Sequence, residues 1–150
     1  MTAERPVGDV LRDWPAGAAV LTAADRDGWW WGLTVSSAVP VSEKRPLVAV
    51  GLPHVRCRSV FRAATAFAVH VLAVGQEPLA ARFAGGSTDF AGVSVECGFA
   101  DVPLLTGAAV RVACRPERTV FGGDTVFLIG EVLRAGVGSG VPLVPLARSA

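Results

Sequence analysis

The side chains with chemical potential in this sequence are few, and they are unevenly placed. His54, Arg56, Arg58 and Ser59 fall close together. Imidazole, guanidinium and hydroxyl groups on one loop could meet an anionic ligand through charge-assisted hydrogen bonds, and they read equally as an ordinary solvated surface. His70 lies inside Phe67-Ala68-Val69-His70-Val71-Leu72, where an imidazole is expected as a satisfied interior group rather than a catalyst. Trp29-Trp30-Trp31 cannot all face one way on a strand. Trp30 must oppose its neighbours, which leaves an indole face for a ring-shaped ligand or a second subunit.

Other chemistries lose their anchors. The chain has two His and three Cys, and Cys57, Cys97 and Cys114 are widely spaced with no C-x-x-C, so neither a metal site nor a disulfide framework is expected. There is no G-x-S-x-G elbow and no lysine after a glycine-rich run, which removes the usual hydrolase and nucleotide triphosphatase motifs. Gly136-Val137-Gly138-Ser139-Gly140 resembles part of a dinucleotide fingerprint but has no βαβ unit after it, and it reads as a turn.

The elements that must position these residues are bounded by composition. A chain of 150 residues is the size of one domain and is read as a single unit over 1–150. Fourteen Lys+Arg against thirteen Asp+Glu give a net charge of +1, which offers no surface for nucleic acid or an anionic membrane. Hydrophobic residues make up 51% and charged residues 18%, so a sizeable apolar patch is expected either to be exposed or to be hidden in a homo-oligomer, and the second is favoured. Residues 1–14 include Glu4, Arg5, Asp9, Arg12 and Asp13 and form neither a signal sequence nor a membrane span, which points to a soluble cytoplasmic protein.

Seventeen Gly and ten Pro indicate many turns and a β-rich fold. Ala18–Ala23 and Trp29–Ser36 are β-prone runs separated by Asp25-Arg26-Asp27-Gly28, whose Asp-Gly ending predicts a hairpin. Pro46–Leu52 and Phe67–Leu72 read as buried strands, joined by a short helix within Arg58–Ala66 that Ser59 could cap. A second short helix follows Pro78 and stops at Gly85-Gly86. Val93–Phe99, Ala108–Arg115, Thr125–Val132 and Val141–Leu146 complete the strands. In Ala108–Arg115, Arg111, Ala113 and Arg115 alternate with Val110, Val112 and Cys114, predicting one wet face and one core face. No regular βαβ alternation is present, so a small antiparallel barrel is favoured over a Rossmann domain.

Taken in order, the segments resemble the flavin reductase family, the FMN-binding split β-barrel proteins that serve as small components of two-component monooxygenases. Trp14-Pro15-Ala16-Gly17-Ala18-Ala19-Val20-Leu21-Thr22-Ala23 is similar to the family's opening P-A-G-V-x-V-V-T-A. Gly32-Leu33-Thr34-Val35-Ser36-Ser37 resembles its G-x-T-V-S-S flavin loop, and Arg45-Pro46-Leu47-Val48 follows. The His70 run resembles F-A-V-N-V-L, and Gln76, Leu79-Ala80 and Phe83-Ala84 resemble Q-x-x-L-A-x-x-F-A. Pro103-Leu104-Leu105, Gly123-Asp124 and Gly130-Glu131-Val132 match P-L-L, the start of G-D-H, and G-E-V. The likeness runs from about Trp14 to Leu146.

This resemblance implies a mainly β, antiparallel, Greek-key-like split barrel with two or more short helices, expected as a homodimer, and an NAD(P)H-dependent reductase that supplies reduced FMN or FAD to a partner monooxygenase. It places the flavin against Thr34, Val35, Ser36 and Ser37, a cradle of hydroxyl and backbone N–H groups, with Gly51, Leu52, Phe83 and Ala84 also at the cofactor. Arg56, Arg58 and Ser59 would hold its phosphate, although the family's N-x-S-S-x-T is absent there. Asp124 and Thr125 would border the nicotinamide. Thr125 stands where the family has histidine; a hydroxyl donates a hydrogen bond but carries no imidazolium charge. Asp89-Phe90 lacks the basic residue of D-R-F, and Leu143–Arg148 lacks the aromatic residues of L-Y-x-x-x-x-Y. The alternative is therefore a repurposed barrel that binds a flavin or small aromatic ligand without oxidising NAD(P)H. A third reading is a structural subunit that uses its tryptophans to pack.

Overall fold

A computed structural model describes residues 2–12 and 17–144. Along the chain it forms α1 (Val7–Arg12), β1 (Ala19–Ala24), β2 (Trp30–Val35), β3 (Ala38–Ser42), β4 (Leu47–Leu52), α2 (Arg58–Ala63), β5 (Phe67–Val71), α3 (Glu77–Arg82), β6 (Val95–Glu96), β7 (Leu104–Leu105), β8 (Val110–Gly122) and β9 (Thr125–Val137). Seven strands form one antiparallel sheet in the order β2-β1-β5-β8-β9-β4-β3, and β6 pairs with β7 separately. The fold is mainly β with short helices, as expected. Although β2 and β4 are far apart in this order, they approach each other, so the sheet is curled.

The first hairpin follows from its turn. Gly28 takes φ 86°, which costs a residue without Cβ nothing. The Asp25 carboxylate accepts the backbone N–H groups of Asp27 and Trp29, both at 2.9 Å. Leu21 then falls opposite Leu33, as the two β-prone runs predict.

Strand β1 is buried on both faces, which explains its continuously apolar sequence. Ala19, Leu21 and Ala23 join a core with Leu33, Leu52, Phe61, Phe67 and Leu128. Ala18 and Val20 point the other way, into a second core with Leu72, Phe83 and Leu105. Helix α2 contributes Phe61 to the first core, while Leu79 and Ala80 of α3 border the second.

The β8–β9 hairpin joins the two halves of the sheet. Its register shifts between Ala113 and Cys114 and between Pro116 and Arg118; such bulges bend a strand and accommodate a proline that cannot donate to the ladder. The early part of β8 therefore pairs with β5 and the early part of β9 with β4.

Several expectations need correction. Ser59 is not the cap of α2: Cys57 is, and it makes no side-chain cap bond. Val93–Phe99 contracts to the two residues of β6, while Ala108–Arg115 and Thr125–Val132 extend into strands of 13 residues each. β8 does not have one wet face and one core face, because Ala113 is buried with Ala68, Val102 and Leu104 while Cys114 is buried in the first core. Strand β3, at the sheet edge with Pro40 inside it, is absent from the sequence reading, as are α1 and β7. Of Val141–Leu146, Pro142 forms an isolated bridge with Ala73, and residues 145–146 lie outside the described residues. So do Trp14-Pro15-Ala16 and the tail residues 145–148.

Candidate functional site

The Gly32–Ser37 segment is held in place from behind by α3. Gly32 lies beneath the Phe83 ring, and a Cβ built on it would come within 2.5 Å of Phe83 Cδ1. Two residues on, the Thr34 backbone N–H donates to the Phe83 carbonyl at 2.8 Å, and its Oγ1 donates to the Ala80 carbonyl at 2.8 Å. The helix is thereby docked against the end of β2, where the strand gives way to Ser36 and Ser37.

An open cavity of about 550 Å³ lies at that strand end, within the size range of small-molecule and cofactor pockets. Thr34, Val35, Ser36 and Ser37 form one wall; Gly51 and Thr125 come from the neighbouring ends of the paired strands β4 and β9; Pro53, Ala80, Ala18 and Leu143 supply apolar surface. Gly51 is where bulk would matter: a Cβ there would stand 2.9 Å from Ser37 Cβ and 3.3 Å from Thr125 Cγ2. Hydroxyl groups, strand-end backbone and apolar walls fit the polar edge and flat ring of a flavin, which supplies hydride acceptance and electron transfer when bound.

The structure thus brings Thr34, Val35, Ser36, Ser37, Gly51 and Thr125 together at one cavity. Asp124 is exposed in the adjoining turn, with its carbonyl 2.7 Å from Arg58 Nη2. The remaining candidates are elsewhere. The Leu52 side chain is fully buried in the first core, and Phe83 is fully buried in the second. Ala84 is exposed beyond the end of α3. Ser59 lines a different cavity, with Asp25, Arg26 and Ala63. Arg56 and His54 are exposed on the loop after β4, while Arg58 donates to backbone carbonyls.

Glu77 and Ala80 line the cavity from α3; neither is among the site residues expected from the sequence, although Ala80 belongs to the Q-x-x-L-A-x-x-F-A match. Their i, i+3 spacing puts them on one helical face, a signal that identifies the face without saying what it meets. Pro53 and Leu143 carry no comparable signal.

His70, Cys57 and Cys114 are structural. The Leu105 backbone N–H donates to His70 Nε2 at 3.0 Å, so Nδ1 carries the proton and donates to the Val20 carbonyl at 3.0 Å. Burial lowers the His70 pKa to about 4; the Val20 bond opposes this shift and the Arg111 charge adds to it. Burial raises Cys57 and pushes Cys114 up to about 12, so neither is a thiolate nucleophile near neutrality. The tryptophans divide as alternation requires: Trp31 packs against the first core and donates from Nε1 to Asp25 Oδ2 at 3.0 Å, while Trp30 meets Phe90 edge-on at 5.6 Å. Trp29 is 66% exposed.

The flavin reductase like domain matches residues 11–148. This chain belongs to that family. An FMN reductase (NADH) of Agrobacterium fabrum is 35% identical over 140 residues, covering 93% of this chain and 80% of its own. An actinorhodin polyketide dimerase of Streptomyces coelicolor is 38% identical over 143 residues, covering 93% and 81%. Among solved flavin reductase structures, the NADH:FAD oxidoreductase of Streptomyces globisporus superposes with a TM-score of 0.86 at 28% identity, over 99% of this chain and 98% of that one. Reductase components of monooxygenases are also among the related proteins.

Proposed function

We propose that this protein is an NAD(P)H-dependent flavin reductase that reduces FMN or FAD and passes the reduced flavin to a partner monooxygenase. The observation that carries the reading is the cavity at the end of β2, where the flavin-loop motif Thr34–Ser37 meets Gly51 and Thr125 in a chain of this family. NADH is the reductant named for the A. fabrum and S. globisporus relatives, and it is the first co-substrate to try.

In this reading the chain's contribution is placement. Thr34–Ser37 and Gly51 hold the ring, the apolar walls exclude water, and Thr125 with Asp124 borders the side from which the nicotinamide approaches. Thr34 Oγ1 already donates to Ala80, so toward a ligand it acts as an acceptor. Arg56 is the cation of the basic loop that best suits the phosphate end. We read residues 1–150 as one unit that works in the cytoplasm. No helix among the described residues is long and apolar enough to cross a membrane.

The test is an anaerobic titration of the purified protein with FMN followed by flavin fluorescence, with NADH and then NADPH added to the same sample. Binding followed by bleaching of the oxidised flavin is the expected result. Binding without bleaching would move the assignment to the second reading, a ligand-binding barrel that takes no hydride. Thr125 in place of histidine, and a 38% identical relative named for polyketide dimerisation, are the observations that favour that second reading.

A further inference from the structure

We propose that Arg58 is a positioning residue that clasps the two sides of the cavity mouth together, and is not the ligand of a flavin phosphate. Its functional consequence rests on the flavin reading above; its structural content does not.

Arg58 acts where the sheet ends. Strands β4 and β9 are paired as far as Leu52 opposite Val126. Beyond that pair the chain enters the Pro53 loop on one side, and on the other it has just left the Gly123–Asp124 turn. No ladder joins these two segments, although Pro53 and Thr125 both line the cavity. Arg58, in the first turn of α2, spans the gap. Its Nε donates to the Pro53 carbonyl at 3.0 Å, and its Nη2 donates to the Leu52 carbonyl at 3.0 Å and the Asp124 carbonyl at 2.7 Å.

A guanidinium group suits this task because its donors lie in a rigid planar fork. With Nε and Nη2 directed at three carbonyls from two segments, the geometry fixes the Gly123–Asp124 turn that leads into Thr125 relative to the loop carrying Pro53. These bonds leave only Nη1 to meet a phosphate end-on; to be held in the two-pronged geometry that makes arginine a strong phosphate ligand, the phosphate would need Nη2 and would have to displace the Leu52 or Asp124 carbonyl. The sequence suggests an anion ligand because it shows the charge; the fold directs that charge at main-chain oxygens.

The test uses Arg58→Lys and Arg58→Ala in the full chain, with two readouts. The first is amide hydrogen exchange at residues 122–126, which needs no ligand. The clasp predicts exchange about tenfold faster in both variants, with β1 and β5 unchanged, because an ammonium keeps the charge but lacks the fork. The second is the ratio of riboflavin to FMN dissociation constants, which isolates the phosphate contribution. The clasp predicts a ratio within about twofold of wild type in both variants, since ring and phosphate ends lose the same mouth geometry.

Unchanged exchange at 122–126 overturns the proposal. So does a loss of FMN preference in Arg58→Ala that Arg58→Lys restores, which would identify a phosphate ligand. If the wild type binds neither flavin, the flavin reading fails and the clasp is judged on exchange alone. If Arg58→Ala does not fold, Arg58→Lys decides.

Discussion

Thr125 and His70 illustrate how differently two polar residues can be used in one small fold. Thr125 lines the open cavity beside Gly51, at the place where the family motif carries histidine. Thr125→His adds a ring that can donate a charged hydrogen bond, a contact that contributes about 1.5–3 kcal/mol. FMN reduction by NADH should then rise by roughly tenfold or more in stopped-flow bleaching; no rise would show that this position does not tune hydride transfer. His70, in contrast, is sealed between Val20 and Leu105. Its pKa is about 4 in the fold against an ordinary 6.5, so between these values the unfolded chain binds more protons. Stability is therefore full above about pH 6.5, falls as pH drops through that window, and levels below about pH 4, with a total loss of about 3 kcal/mol. Urea midpoints measured across the window should show the decline, and His70→Asn, the residue of the family's F-A-V-N-V-L run, should remove this pH-dependent part. An unchanged profile in the variant would assign the decline to other groups.

At the scale of elements, the site depends on how α3 sits on β2. The contact requires a residue without a side chain at Gly32, because the Phe83 ring occupies the space a Cβ would fill. Gly32→Ala should cost about 1–3 kcal/mol, the usual penalty of overpacking a core. It should also weaken FMN binding, since Thr34 is tied to α3 through both its N–H and its hydroxyl. Thermal unfolding and a flavin titration of the same sample measure both effects. A stable variant with wild-type affinity would mean the helix can shift without disturbing the loop. The same close approach gives a physical reason for the glycine of G-x-T-V-S-S and for the Phe83 that follows α3: each makes room for or fills the other.

For the whole molecule, hydrophobic residues make up 51% of the sequence, and several of the large ones stay exposed in the fold. Val39 and Val41 on edge strand β3, and Val120 and Phe121 near the β8–β9 turn, are exposed. We propose a second copy of the chain as their cover, since an uncovered apolar edge strand invites unregulated pairing. Light scattering should give twice the 15.5 kDa chain mass, and Val41→Glu together with Phe121→Ser should shift the protein toward monomer. A wild-type monomer at micromolar concentration would overturn the dimer.

Local pattern alone was enough for the first hairpin, the strand cores around Leu47–Leu52 and Phe67–Val71, and the two helices near Arg58 and Pro78, because their signals are turn chemistry and periodicity within a few residues. The flavin-loop motif was legible for the same reason. Tertiary structure decided what those local signals could not specify. Strand β3 carries a proline and exists because β4 offers it an edge. β8 and β9 run to 13 residues because they pair with each other from end to end while β5 and β4 anchor their early halves, which propensity does not encode. Phe83 and Leu52 share the motif's neighbourhood but face cores, since adjacent residues on a strand or at a helix end point in different directions. Arg58 displays a charge in the sequence, but the partners of that charge are three carbonyls brought together only when the ends of β4 and β9 fold side by side.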